Sequence, residues 1–95
     1  MKHEVYSNEV VLVGITPLND DTTEFLTKVL QQVETYFRGK LKAVIAVLEG
    51  DIGSAITLYY RGEEVLRQTS FVGDLSKDVK LIEWSIREIL SSYNR

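Results

Sequence analysis

The chain carries one histidine, no cysteine and a scatter of carboxylates, and these residue types bound the covalent chemistry open to it. Without cysteine there is no thiolate nucleophile, no disulfide, no zinc–thiolate site and no CxxC redox pair. His3 sits in a polar N-terminal stretch, Met1 to Asn8, with no neighbour to fix an imidazole, so it reads as a solvated tail residue. No Ser-His-Asp set can be assembled without it. Asp20, Asp21 and Glu24 offer the oxygen ligands a hard cation takes, but helix capping and the helix dipole account for all three. Glu49, Asp51 and Asp74 could line one end of a sheet, yet acid–base catalysis needs a pocket and perturbed pKa values around such a pair. The run Gly50-Asp51-Ile52-Gly53-Ser54 is neither a P-loop nor G-x-G-x-x-G, and no helix follows it to hold a phosphate. The expectation is a protein that is not an enzyme, with no catalytic residue, no metal site and no cofactor.

Binding chemistry is better represented. Trp84 falls roughly 160° round a helix from Ile82, beside Lys80, Arg87 and Ser91. An indole on a polar face is either partly buried against a neighbouring loop or its own helix, or held out for a subunit or partner contact, and Trp and Arg are types favoured at interface centres. Tyr59 and Tyr60 point to opposite faces of one strand, so one packs inside. The other, near Arg61 and Arg67, is placed to stack on a partner's ring or to make a cation–π contact within its hairpin.

These side chains must be positioned by α and β elements whose periods are plain. Glu9 to Ile15 and Leu41 to Leu48 are short, β-branched and apolar at consecutive positions, the pattern of interior strands covered on both faces. Between them, Thr22 to Arg38 repeats apolar residues at the helical period, with the stripe Phe25, Leu26, Val29, Leu30, Val33, Tyr36 and Phe37. Asp21 is a candidate cap with Glu24 completing a capping box, and Gly39 suits the left-handed position that ends the helix. Two strands joined by one helix make a parallel, right-handed βαβ unit. Ala55 to Tyr60 and Glu64 to Ser70, joined by Arg61-Gly62-Glu63, read as a hairpin. Ser76 is placed to cap a last helix running to about Tyr93, with the stripe Val79, Ile82, Ile86, Ile89, Leu90 and Tyr93. The fold class is α/β, in the order β-α-β-β-β-α, with a four-stranded mixed sheet and two helices.

The whole chain of 95 residues reads as one domain, with residues 1–8 flexible. Val, Leu and Ile supply 29 residues, too many for a disordered chain. No apolar run approaches a membrane span, and Met1 to Tyr6 shows no signal-peptide core, so the expected setting is cytoplasmic with no membrane partner. The net charge of −3 argues against a nucleic-acid surface. Val10 to Val13 and Ala43 to Leu48 are apolar at both strand parities, yet two helices can both lie on one face of such a sheet. A homodimer, or another protein partner, is then expected to cover the second face, since exposed apolar surface costs about 25 cal/mol per Å².

Four short motifs, in order, resemble the circadian clock KaiB family: Gly14-Ile15-Thr16-Pro17, Phe37-Arg38-Gly39, Val44-Ile45-Ala46-Val47-Leu48 and Gly73-Asp74-Leu75-Ser76. The layout is also similar to the selenoprotein W-like group in the hairpin near Leu58 to Val65. Both resemblances imply a thioredoxin-like scaffold. The place where thioredoxins carry cysteine holds Thr16, Pro17, Leu18 and Asn19 here, and only Glu49 to Ser54 stands where KaiB and thioredoxins insert a further helix. What is implied is a cysteine-free thioredoxin-like regulator without redox activity. The KaiB resemblance further implies docking on a larger ATPase-type protein through the surface near Thr16, Pro17 and Asp74. Lys80, Trp84 and Arg87 are the candidate contacts read from the helix itself. The alternative is a small RNA-binding domain, because residues 20 to 93 read α-β-β-β-α. Its second helix, however, opens with two basic residues, Lys77 and Lys80, against two acidic ones, Asp74 and Asp78.

Overall fold

The computed structural model describes residues 9–93. Six elements follow in the expected order: β1 (Val10–Pro17), α1 (Asp20–Phe37), β2 (Lys42–Leu48), β3 (Ala55–Tyr60), β4 (Glu63–Gln68) and α2 (Leu75–Tyr93). They form one four-stranded sheet in the order β2-β1-β3-β4. β1 and β2 run parallel, with Val13 beside Val44 and Ile15 beside Ala46. β1 and β3 run antiparallel, with Leu12 beside Leu58, and β3 and β4 close the hairpin. The expected tail, Met1 to Asn8 with His3, lies outside the described residues.

Strand order corrects the picture of two interior strands. β2 is an edge strand with Val44, Val47 and Leu48 each about 40–47% exposed. β1 is central and its burial alternates along its length, while beside it on β3 both Thr57 and Ala55 of the other face are buried as well. Val10, Leu12, Gly14 and Thr16 point to the helix side, where a Cβ added at Gly14 would stand 2.6 Å from Leu30 Cδ1. Glycine at this position therefore lets α1 lie close on the sheet. The core joins Leu26, Val29, Leu30 and Val33 of α1, Ile56 and Leu58 of β3, and Val79, Ile82 and Ile86 of α2. Both helices thus pack on the same face, and no described helix covers the other.

Local signals place the ends of the elements, with corrections at the caps. Asn19, not Asp21, caps α1: its backbone is extended and its Oδ1 accepts the Thr22 N–H at 3.1 Å. With Asn19 as the cap, the helix begins two residues earlier than its apolar period suggests, directly after β1 has run on to Pro17. Glu24 pairs with Lys28 at 3.2 Å instead of completing a capping box. At the far end Arg38 itself takes the left-handed conformation (φ 42°), with Gly39 following at φ 83°. Asp74, not Ser76, caps α2 by accepting the Lys77 N–H at 3.1 Å. Tyr36 leaves the expected stripe and stands 48% exposed, its ring edge-on to Phe37.

The hairpin turns on two residues, Arg61 (φ 52°) and Gly62 (φ 86°), the pair of positive φ values that matches strand twist. A bulge between Leu58 and Tyr59 lets Val65 join Leu66 against the core. The β2 edge is blunted at one point, where the Glu34 carboxylate accepts the Ala43 N–H at 3.0 Å.

Candidate functional site

α2 carries its buried residues Asp78, Val79, Ile82 and Ile86 on one side. At 100° per residue Trp84 falls diametrically opposite that stripe, one turn from Lys80, Leu81, Arg87 and Glu88 and two turns from Lys77. The indole is 54% exposed and Leu81 48% exposed.

Arg87 also belongs to a groove of about 570 Å³ between the C-terminal ends of the two helices. Tyr36, Phe37, Arg38, Lys40, Leu90 and Ser91 complete its lining. Ion pairs among the described residues join Lys28 to Glu24, Arg61 to Glu9 and Arg67 to Glu64, so Arg38, Lys40 and Arg87 are left without one there. Among the described residues no carboxylate lines the groove. On a chain of net charge −3, Lys80, Arg87, Arg38 and Lys40 therefore make a local positive field beside two exposed aromatic rings. Glu83 lies on the side of α2 that turns toward Gln32 and Tyr36 of α1. Partial burial pushes its carboxyl above the usual carboxylate range, against the opposing pull of Arg87 and Lys80.

The six expected contact residues fall in two places. Lys80, Trp84 and Arg87 share the outer face of α2. Thr16, Pro17 and Asp74 lie at the end of the sheet where β1 and β4 finish and both helices begin. Thr16 is fully buried, with its Oγ1 3.4 Å from Ser54 Oγ and donating to the Pro17 carbonyl at 3.3 Å. Its side chain organises that end from within; Pro17 is half-buried and Asp74 exposed.

Asp78 escaped the sequence reasoning, although its position within the apolar stripe was the available signal. It is 1% exposed, and its two carboxylate oxygens accept the N–H groups of Val72 at 2.9 Å and Gly73 at 3.0 Å. The residue fastens the loop after β4 to α2, so its role is structural. Arg38 and Lys40 were also missed as site residues, because only packing of α1 against α2 brings them to Arg87.

The expected division of the two tyrosines is observed in part. Tyr60 packs on the helix side, stacked on Tyr93 at 4.3 Å with the Arg61 guanidinium 5.2 Å from its ring centre. Tyr59 lies on the opposite sheet face, half-buried. Among the described residues no cluster of His, Asp and Glu could hold a metal ion. No helix among them is long and apolar enough to cross a membrane.

The fold has a counterpart among solved structures. A thioredoxin-like protein from Bacillus cereus ATCC 10987 superposes with a TM-score of 0.67 at 18% sequence identity, over 90% of this chain and 94% of that one. This similarity shows a thioredoxin-like fold. No family model matches the chain, and no curated protein matches it.

Proposed function

We propose that the chain is a small protein–protein interaction module, one that uses a thioredoxin-like scaffold for its surfaces and performs no redox chemistry. One observation carries this: Trp84, more than half exposed, stands opposite the buried stripe of α2 among Lys77, Lys80 and Arg87, with Glu88 the one acidic neighbour on that face. An exposed indole flanked by cations suits an acidic surface that offers an apolar pocket, because the ring supplies area and the cations supply register. Arg38 and Lys40 extend the same field. The KaiB resemblance supports a docking role on a larger ATPase-type protein. The second docking region near Pro17 and Asp74 belongs to that proposal, with Leu18, 66% exposed, as its apolar contact. A cytoplasmic setting and self-association complete it.

The RNA-binding alternative loses its geometry. That domain needs three consecutive antiparallel strands, whereas here β1 lies between β2 and β3.

Recovery of partners on the tagged chain from native lysate tests the proposal. Trp84→Ala is expected to lower recovery about tenfold or more, the scale of an interface hot spot, with thermal stability unchanged. Lys80→Glu with Arg87→Glu should act the same way. Undiminished recovery by both variants would remove the α2 face from the site.

A further inference from the structure

The two ends of the molecule carry opposite charge, each beside exposed apolar surface. α1 spans 18 residues, about 27 Å, from one end to the other. At its start Leu18 is 66% exposed, and its N–H donates to the Leu48 carbonyl at 3.0 Å, so the ends of β1 and β2 form one corner. Leu48 is itself 47% exposed. Asp21, Glu49 and Asp51, all exposed, follow these two leucines within three residues. None of the three carboxylates joins an ion pair among the described residues, while the neighbouring Glu24 is held by Lys28.

The other end holds the groove between the helix C-termini. The rings of Tyr36 and Phe37 and the Leu90 side chain line it together with Arg38, Lys40 and Arg87. The carboxylates near it are placed elsewhere. Glu34 accepts the Ala43 N–H at the β2 edge, and Glu83, which feels the field of Arg87, and Glu88 lie on α2 outside the lining.

We propose that the Leu18 corner of one copy seats in this groove of another, leucine against the rings and carboxylates against the guanidinium and ammonium groups. This rests on reading the chain as an interaction module and names a second copy as one of its partners. The same chain carries both halves of the contact: three carboxylates beside two exposed leucines, and three cations beside two rings and a leucine. The halves lie a helix length apart, so a chain cannot fill its own groove and only another copy supplies the corner. Because the two surfaces differ, each contact leaves a groove on one copy and a corner on the other unfilled, and copies add head to tail until the set closes. Exposed ion pairs contribute little, so the contact belongs at the weak end of specific interfaces.

Sedimentation velocity on the full chain from about 5 to about 500 µM tests this, a range suited to a weak contact. The weight-average mass of the wild type is expected to rise with concentration. Arg38→Gln with Lys40→Gln removes two of the three cations and is expected to weaken association about tenfold or more. Glu49→Lys with Asp51→Lys is expected to weaken it at least as much, although it moves the net charge from −3 to +1, which by itself lessens repulsion between copies. Leu18→Ala supplies a loss that leaves every charge in place. All five positions are exposed, so circular dichroism should report an unchanged fold. Mixing the two charge variants one to one joins the intact corner of the first to the intact groove of the second, so a two-chain species should return to within about threefold of wild-type affinity. A wild type that stays monomeric to about 500 µM overturns the proposal and leaves the groove to an acidic partner of another kind. A mixture no more associated than its components overturns it as well. Lys80, Trp84 and Arg87 are intact in every variant, and Trp84→Ala is expected to self-associate as wild type while losing its partner from lysate, so either reading can fail alone.

Discussion

Asp78→Ala removes the one acceptor group that holds the Val72–Gly73 segment to the start of α2. Both carboxylate oxygens are engaged, at 2.9 and 3.0 Å, and the residue is 1% exposed. A hydrogen bond to a charged group contributes about 1.5–3 kcal/mol net, and the loop can regain part of that from water because Val72 and Gly73 are exposed. The expected loss is therefore about 2–3 kcal/mol, which lowers the melting temperature of a domain this size by roughly 10–20 °C. Asp74→Ala is the matched control: it removes a single exposed cap bond and should cost about 1 kcal/mol. Urea denaturation gives both values, and hydrogen exchange should show the amides of Val72 and Gly73 losing protection first in Asp78→Ala. Equal stability of the two variants, or an Asp78→Ala protein within 0.5 kcal/mol of wild type on the same m-value, would refute the account of Asp78 as the fastening of this loop.

Two further outcomes follow from the core and from Glu83. Gly14→Ala places a Cβ 2.6 Å from Leu30 Cδ1 and 3.4 Å from Leu26 Cδ2, so Leu30 must change rotamer and stability should fall by about 1–3 kcal/mol. Combining it with Leu30→Ala should cost less than the sum of the two single changes, a coupling that a denaturation double-mutant cycle reads. Glu83 has its carboxyl raised chiefly by partial burial, so the folded chain holds that proton more tightly than the unfolded one. Its contribution therefore becomes less favourable as pH rises through that region, the reverse of a salt-bridged carboxylate. Glu83→Gln should match or exceed wild-type stability at pH 7, with the difference disappearing below the unfolded carboxylate pKa. A variant clearly less stable than wild type at pH 7 in thermal melts would contradict the assignment.

Much of the scaffold was legible because its elements carry strong local periods. The 3.6-residue stripe of α1, the apolar runs of β1 and β2 and the Arg61-Gly62 turn each state their conformation within a few residues. The helix caps were less legible, since Asn19 and Asp21, or Asp74 and Ser76, are chemically equivalent until the backbone says where the helix begins. Trp84 was visible as an outward residue from helical geometry alone. The groove lined by Arg87 was not, because Arg38, Lys40 and Arg87 are distant in sequence and meet only where α1 packs on α2.

Cysteine content and element order are properties of the chain itself: they exclude thiol chemistry and require a parallel βαβ unit followed by a hairpin and a helix. Which strand became the edge, and which sheet face stayed without a helix, were tertiary decisions. Val44 and Val13 look alike in sequence, each apolar in an apolar run. They differ because β3 pairs beside β1 and not beside β2, a long-range choice that leaves β2 outermost and puts both helices on the other side of the sheet.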